Sequence, residues 1–157
     1  WFGGVGFVAA LVCAVAAPLL QLIGMVAPLP VLVAPWIQPA GIVAAVAGVA
    51  ATVWSQLAMG DSWRIGVDHV ETTTLVRTGV FGRVRNPIFS AMLLFGLGLA
   101  LITPNVVAII GFVLLIGSIE LQVRVVEEPY LLRVHGQSYR EYLGAVGRFV
   151  PGVGLRR

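Results

Sequence analysis

The densest group of ionisable side chains in this chain of 157 residues is Glu120, Arg124, Glu127, Glu128 and His135, spaced as if on one helix. Glu120 and Arg124 are four apart, as are Arg124 and Glu128, so on an α-helix each pair shares a face and can form an ion pair. Glu127 and Glu128 point about 100° apart, which lets one carboxylate hold an arginine while the other faces a ligand. A second group is Thr78-Gly79-Val80-Phe81-Gly82-Arg83-Val84-Arg85-Asn86-Pro87. Its two glycines permit a close turn, and Arg85 offers a guanidinium fork suited to a carboxylate or phosphate. Pro87 is placed to open a helix whose N-terminus attracts anions. Each group also has a plainer explanation, an ion-pair ladder ending a transmembrane helix and a basic topogenic loop preceding one. Convergence of both groups on one membrane face favours a site. His69 reads as a solvated loop residue, and His135 as either a helix-end cap or a ligand contact. No Cys/His cluster and no His-Glu-x-x-His is present, so metal catalysis has no support.

The elements that position these groups are set by the bilayer. Trp1 to Met59 and Pro87 to Ile119 contain no Asp, Glu, Lys, Arg or His, and every charge falls between Asp61 and Arg85 or between Glu120 and Arg157. A charge at the centre of a bilayer helix costs roughly 2.5 to 3.5 kcal/mol or more, which explains such segregation; a soluble domain spreads its charge. With 59% hydrophobic residues and a mean hydropathy of +0.97, the expected fold class is all-α. That fold is a polytopic bundle of about four transmembrane helices with a cytosolic C-terminal helical extension, one domain over 1–157. A span needs about 20 helical residues, which places spans near 1–27, 38–59, 87–102 and 105–123.

Pro18 is expected to kink the first span, and Val31 to Gln38 to be interfacial or a slanted start to the second, with Trp36 in an aromatic belt. The fourth helix should run on to His135, bend at Pro129 and stop at Gly136. Beyond it Tyr139, Tyr142 and Leu143 share one face of an amphipathic piece, Ser138 to Val146. Trp63–Val67 and Thr72–Val76 could pair as a hairpin over the site. Cys13, the one cysteine, reads as a small buried hydrophobe. The net charge of +3, with no Lys, makes nucleic acid a poor guess as partner. Arginine in both charged blocks places them, and both termini, in the cytoplasm. The opening segment lacks a basic n-region and reads as a span, not a signal peptide. Heavy Ala, Val, Gly and Arg without Lys suggests a GC-rich bacterial genome, hence a bacterial inner membrane.

Met59 to Pro151 resembles the integral-membrane methyltransferases that include isoprenylcysteine carboxyl methyltransferase and, more distantly, the phospholipid methyltransferases. Met59-Gly60-Asp61-Ser62-Trp63-Arg64 is similar to the family's Met-Gly-x-x-Trp-Arg. Leu75 to Phe89 resembles its Gly-x-Tyr/Phe-x-x-x-Arg-His-Pro-x-Tyr. Glu127-Glu128-Pro129 to Tyr142, followed by Arg148-Phe149-Val150-Pro151, resembles its C-terminal block. The family's His is Asn86 here and its following Tyr is Phe89, so any base role at that His is vacant. The resemblance implies a four-helix bundle with a cytosolic S-adenosylmethionine pocket open laterally to lipid. The cofactor contacts it implies are Gly79, Arg85, Asn86, Pro87, Phe89, Glu127, Glu128, His135 and Tyr139. Arg124, Glu128 and Arg148 are the candidate catalytic residues, an arginine orienting the acceptor. A carboxylate acceptor needs no base, which suits Asn86 and favours O-methylation of an isoprenoid- or lipid-like acid reaching the site from the bilayer. N-methylation of a phospholipid headgroup, an NADPH-dependent membrane reductase and a small non-enzymatic membrane subunit are the alternatives.

Overall fold

The computed structural model describes residues 2–59 and 75–156, and among these every regular element is helical. The long helices are α1 (Phe2–Leu22), α2 (Ile37–Met59), α3 (Pro87–Ile102) and α4 (Val106–Gln122). α4 continues through one π-helical turn, Val123–Glu127, into α5 (Glu128–His135), and α6 (Gln137–Ala145) follows. Single 3-10 turns occupy Pro30–Leu32 and Gly79–Gly82. Three stretches, Gly3–Leu22, Ile37–Met59 and Val106–His135, are long and apolar enough to cross a membrane. α3 is equally apolar but has 16 residues. At 1.5 Å per residue it reaches about 24 Å, short of a ~30 Å hydrocarbon core.

The expected spans match these helices closely except at the end of the first. α1 stops at Leu22 instead of running to residue 27, because Gly24 adopts a left-handed φ of 76° and Pro28 and Pro30 follow. Pro18 is accommodated inside α1. The stretch before α2 forms a 3-10 turn, and Trp36 is exposed beside it. The hairpin expectation falls mainly on residues outside those described; Leu75 and Val76 are in no regular element.

α1 packs on α4 and α2 on α3, and α3 meets α4 to join the two pairs. In lipid, where no hydrophobic force drives helices together, close backbone approach through small residues has to do it. A Cβ on Gly48 would sit 2.6 Å from the Phe95 nitrogen and one on Gly98 2.5 Å from that of Ala45, so α2 and α3 touch backbone to backbone. On the other seam Cys13 lies against Gly111, where a Cβ would come within 2.6 Å of the Cys13 Cβ. Asn105, 0% exposed, ties this pair together at the end remote from the charged blocks. Its Oδ1 accepts from the Ala108 N–H at 3.0 Å, capping α4, and its Nδ2 donates to Ala17 O and Gln21 Oε1, each at 3.0 Å. The outer faces of α1 and α2 present Val5, Val8, Val12, Val43, Val46 and Leu57, as a lipid-facing surface should.

The π turn corrects one expectation. Arg124 was placed between Glu120 and Glu128 by α-helical spacing, but it pairs with Glu120 and leaves Glu128 to other arginines. A π turn inserts extra residues into the ladder, so the i, i+4 register does not carry across it and Glu128 rotates inward.

Candidate active site

Glu128 is the centre of the charged end of the bundle and is 1% exposed. Its Oε1 accepts from Arg148 Nε at 2.8 Å and Arg85 Nη2 at 3.2 Å. Its Oε2 accepts from Arg148 Nη2 at 3.2 Å and Arg156 Nη1 at 3.1 Å. Burial pushes this carboxyl up, but the three guanidiniums outweigh it and hold Glu128 below the usual carboxylate range. Arg85 is drawn the other way, burial lowering it against the pull of Glu128. The other Nη donors of Arg85 go to main-chain carbonyls, Nη1 to Val146 O at 2.7 Å and Leu143 O at 2.9 Å and Nη2 also to Gly154 O at 3.1 Å. A buried ion cluster is tolerable only when such hydrogen bonds complete it.

Main-chain pairing fastens the same two regions. Arg85 N donates to Gly147 O at 2.8 Å and Asn86 N to Arg148 O at 3.1 Å, next to a parallel bridge between Val84 and Gly147. Asn86 Nδ2 also donates to Arg148 O, at 3.2 Å, and Ser90 Oγ to Phe149 O at 2.7 Å. From α6, the buried Tyr142 hydroxyl donates to Phe81 O, and Arg77 reaches Ser138 O at 3.3 Å. Loop 77–86, α5, α6 and the segment after α6 therefore form one polar block. α6 turns back onto it because Gly136, with a φ of 51°, ends α5 as its position suggested.

The structure sorts the candidate residues by their surroundings. Glu128, Arg85 and Arg148 are buried and engaged with one another, which makes them the frame of the site. Arg124 stands on the surface with Glu120. Pro87 is buried at the first turn of α3, Phe89 and Asn86 are half-buried, and Gly79 is exposed in a left-handed conformation with a φ of 61°. Glu127 is half-buried, and no cation among the described residues pairs with it. Burial pushes its carboxyl up to about 7, against a hydrogen bond from Gln122 that lowers it. Tyr139 is buried against Tyr142 with ring centroids 6.1 Å apart. Burial raises both phenols, that of Tyr142 to about 12. Two buried polar atoms among the described residues have no hydrogen-bond partner, Arg85 Nε and His135 Nε2. Sequence reasoning missed Arg156 and Ser90, and the only signal for Arg156 was the arginine excess of the tail.

The sequence profile of the phospholipid methyltransferase family matches residues 36–138. The chain belongs to that family. Among curated proteins, it is 31% identical over 86 residues to a protein-S-isoprenylcysteine O-methyltransferase of Dictyostelium discoideum, covering 55% of this chain and 35% of that one. Among solved structures, the eukaryotic intramembrane Ras methyltransferase ICMT (isoprenylcysteine carboxyl methyltransferase) superposes with a TM-score of 0.71 at 22% identity, over 96% of this chain and 53% of that one. This phospholipid methyltransferase-family chain thus has the fold of the intramembrane enzyme while spanning about a third of the curated relative and half of the solved one. Arg148 and Arg156 lie beyond the matched residues, whereas loop 77–86, Glu127, Glu128 and His135 lie within them.

Proposed function

We propose that this chain performs S-adenosylmethionine-dependent methyl transfer to an amphiphilic acceptor, most simply the O-methylation of a lipid-like carboxylate. The observation that carries the reading is an apolar cavity within the same bundle that carries the polar block at one end. The cavity, of about 150 Å3, lies between α1, α3 and α4 and is lined by Phe7, Ala14, Met92, Phe95, Leu99 and Phe112 among others. Met92 is little more than a turn into α3 from Pro87, so one end of the cavity approaches the loop held by the cluster. A cavity of that volume takes a short apolar segment, about the size of a benzene ring, and in this reading the acceptor's headgroup extends from it toward the polar block.

The residues present fit the polar ends of the cofactor. Among the described residues Arg85 Nε and His135 Nε2 are buried without a hydrogen-bond partner, and no cation pairs with the Glu127 carboxylate. In this reading Glu127 and His135 hold those ends, with Gly79, Asn86, Phe89 and Tyr139 shaping the wall. When bound, S-adenosylmethionine supplies an electrophilic methyl group whose positive charge disappears on transfer. The chain's part is alignment, which is worth most when the reacting groups are held rigidly, and the Glu128 cluster provides that rigidity. A carboxylate acceptor needs no base, in keeping with an Asn86 amide committed to Arg148 O.

One observation favours a second reading. Glu127, with its carboxyl near 7, is suited to accept a proton from an ammonium headgroup, and Arg148 and Arg124 are already engaged by Glu128 and Glu120. N-methylation of a phospholipid amine is therefore the alternative. Four crossings, on the charge-free stretches, both charged blocks in the cytoplasm, on their arginines, and a bacterial inner membrane, on the Lys-free composition, complete the proposal. The test is equilibrium binding of S-adenosylhomocysteine and of NADPH to the purified protein in detergent. Transfer of labelled methyl to an isoprenoid or fatty acid and to phosphatidylethanolamine is measured next. Binding of S-adenosylhomocysteine with ester formation is expected. Labelled amine establishes the second reading, and binding of NADPH alone or of neither ligand overturns both.

A further inference from the structure

Arg156 is the one member of the Glu128 cluster that water reaches. Its side chain is 57% exposed, against 1% for Glu128, 1% for Arg85 and 7% for Arg148. It stands beyond the residues matched by the family profile. The backbone around it is nevertheless fastened at several points. Arg156 N donates to Leu143 O at 3.0 Å, Arg148 N to Val153 O at 2.8 Å, and Gly154 O accepts from Arg85. The turn is tight enough that a Cβ on Gly147 would lie 2.0 Å from Val150 O. Residues 147–156 therefore form a strap laid across α6 and the inner arginines, and its outer end is secured by one guanidinium on a buried carboxylate. Without Arg156 the bidentate hold of Arg148 remains, but the strap loses its outer ion pair beside Gly154, one of the acceptors that fix Arg85.

We propose that Arg156 is a positioning residue that latches this strap to Glu128 and so holds loop Gly79–Asn86 in the shape the site needs. The inference concerns the chain's own order and deepens the methyltransferase reading without depending on it. Glu128 is faced by Arg85 from the loop and by Arg148 and Arg156 from the strap. Tyr139 of α6, Glu120 and Arg124 at the end of α4, and the neighbouring Glu127 complete its charged and titratable surroundings. Because Glu128 is depressed in the fold, its contribution is present above the ordinary carboxylate range and is lost as pH falls through the folded value. Removing one of its cations raises that value, so the loop should loosen at a higher pH.

The experiment is hydrogen exchange of the unliganded full chain in detergent, followed as protection factors from pH 7 to about pH 2.5, for wild type, Arg156→Ala and Arg156→Lys. Arg156→Ala should lower protection of peptides covering 79–86 about fivefold at pH 7, as expected for a partly exposed ion pair, and should raise the pH at which protection is lost by about half a unit. Arg156→Lys, which keeps the charge, should restore that pH. Wild-type protection in Arg156→Ala overturns the proposal. So does a loss spread equally over α1 and α4, and so does an Arg156→Lys variant indistinguishable from Arg156→Ala. None of these readouts requires methyl transfer, so the latch and the activity can fail separately.

Discussion

Adjacent glutamates in opposite environments should respond oppositely to the same isosteric change. Glu128→Gln removes the negative charge at the centre of the cluster, leaving buried Arg85 without a counter-ion among the described residues and Arg148 with only the more distant Glu120, at 3.8 Å. Breaking a buried ion pair from one side costs about 3 to 5 kcal/mol, and the exposed Arg156 adds little. Because the Glu128 carboxyl is held below its usual value, its contribution is fully present at both pH 5 and pH 8, so the loss should be of similar size at the two. Glu127 behaves in the reverse sense. Burial raises it from 4.5 to about 7, so the folded chain binds this proton more tightly than the unfolded chain. Stability therefore falls as pH rises between those values, by roughly 3 kcal/mol at most on the conversion of about 1.4 kcal/mol per pH unit. Glutamine resembles the protonated acid and avoids that penalty. Glu127→Gln should thus be near neutral at pH 5 and stabilising at pH 8, by up to about 3 kcal/mol. Unfolding midpoints in mild detergent at the two pH values measure both variants. Equal losses in both, or a Glu127→Gln effect independent of pH, would refute the assignment of frame and site roles to the pair.

Asn86→Leu removes the 3.2 Å bond to Arg148 O and should weaken S-adenosylhomocysteine binding about fivefold, the ~1 kcal/mol of one hydrogen bond, whereas Asn86→His should bind within about threefold of wild type in a calorimetric titration. Gly48→Val drives a side chain into the Phe95 backbone, where a Cβ already lies at 2.6 Å, and should lower stability by about 1 to 3 kcal/mol without altering cofactor affinity in the folded fraction. Ala14→Met projects into the cavity between α1, α3 and α4; the Michaelis constant for a long-chain acceptor should rise while S-adenosylhomocysteine affinity stays within about twofold, and an unchanged Michaelis constant would separate the cavity from the acceptor.

Where a residue's role depends on its own element, the sequence could be read. The charge-free stretches marked α2, α3 and α4 because no soluble alternative tolerates them. Pro87 opens α3, Gly136 ends α5, and Tyr139, Tyr142 and Leu143 share the buried face of α6, as proline geometry, left-handed glycine and helical periodicity each require. The candidate site was legible as a set of residue types, but its pairings were not. Spacing rules speak only for neighbours on one helix, and they mispaired Arg124 because no residue type announces a π turn. Glu128 draws its partners from positions 43, 20 and 28 residues away. Such contacts are selected by the fold as a whole, and Arg156, just past the motif that ends at Pro151, had no local pattern of its own to reveal it.

The cluster also accounts for the crowding of arginine at one end of so apolar a chain. A loop that must lie against membrane helices has few apolar side chains to anchor it once its glycines have provided the turn. Three guanidiniums on one carboxylate supply several directional bonds from a small volume; Arg85 also reaches main-chain carbonyls through both Nη atoms, and Arg148 lies within 3.8 Å of Glu120. Arginine suits this better than lysine because its planar fork stays charged when buried and meets a carboxylate bidentately, as Arg148 does. Its charge need not enter the hydrocarbon, since α5 and the strap project beyond the apolar part of α4. The same arrangement leaves Glu127, one residue away and rotated off the frame, as the carboxylate able to change protonation near neutral pH. Under the proposed function, rigidity and reactivity are thus divided between two adjacent glutamates by the turn of the helix that carries them.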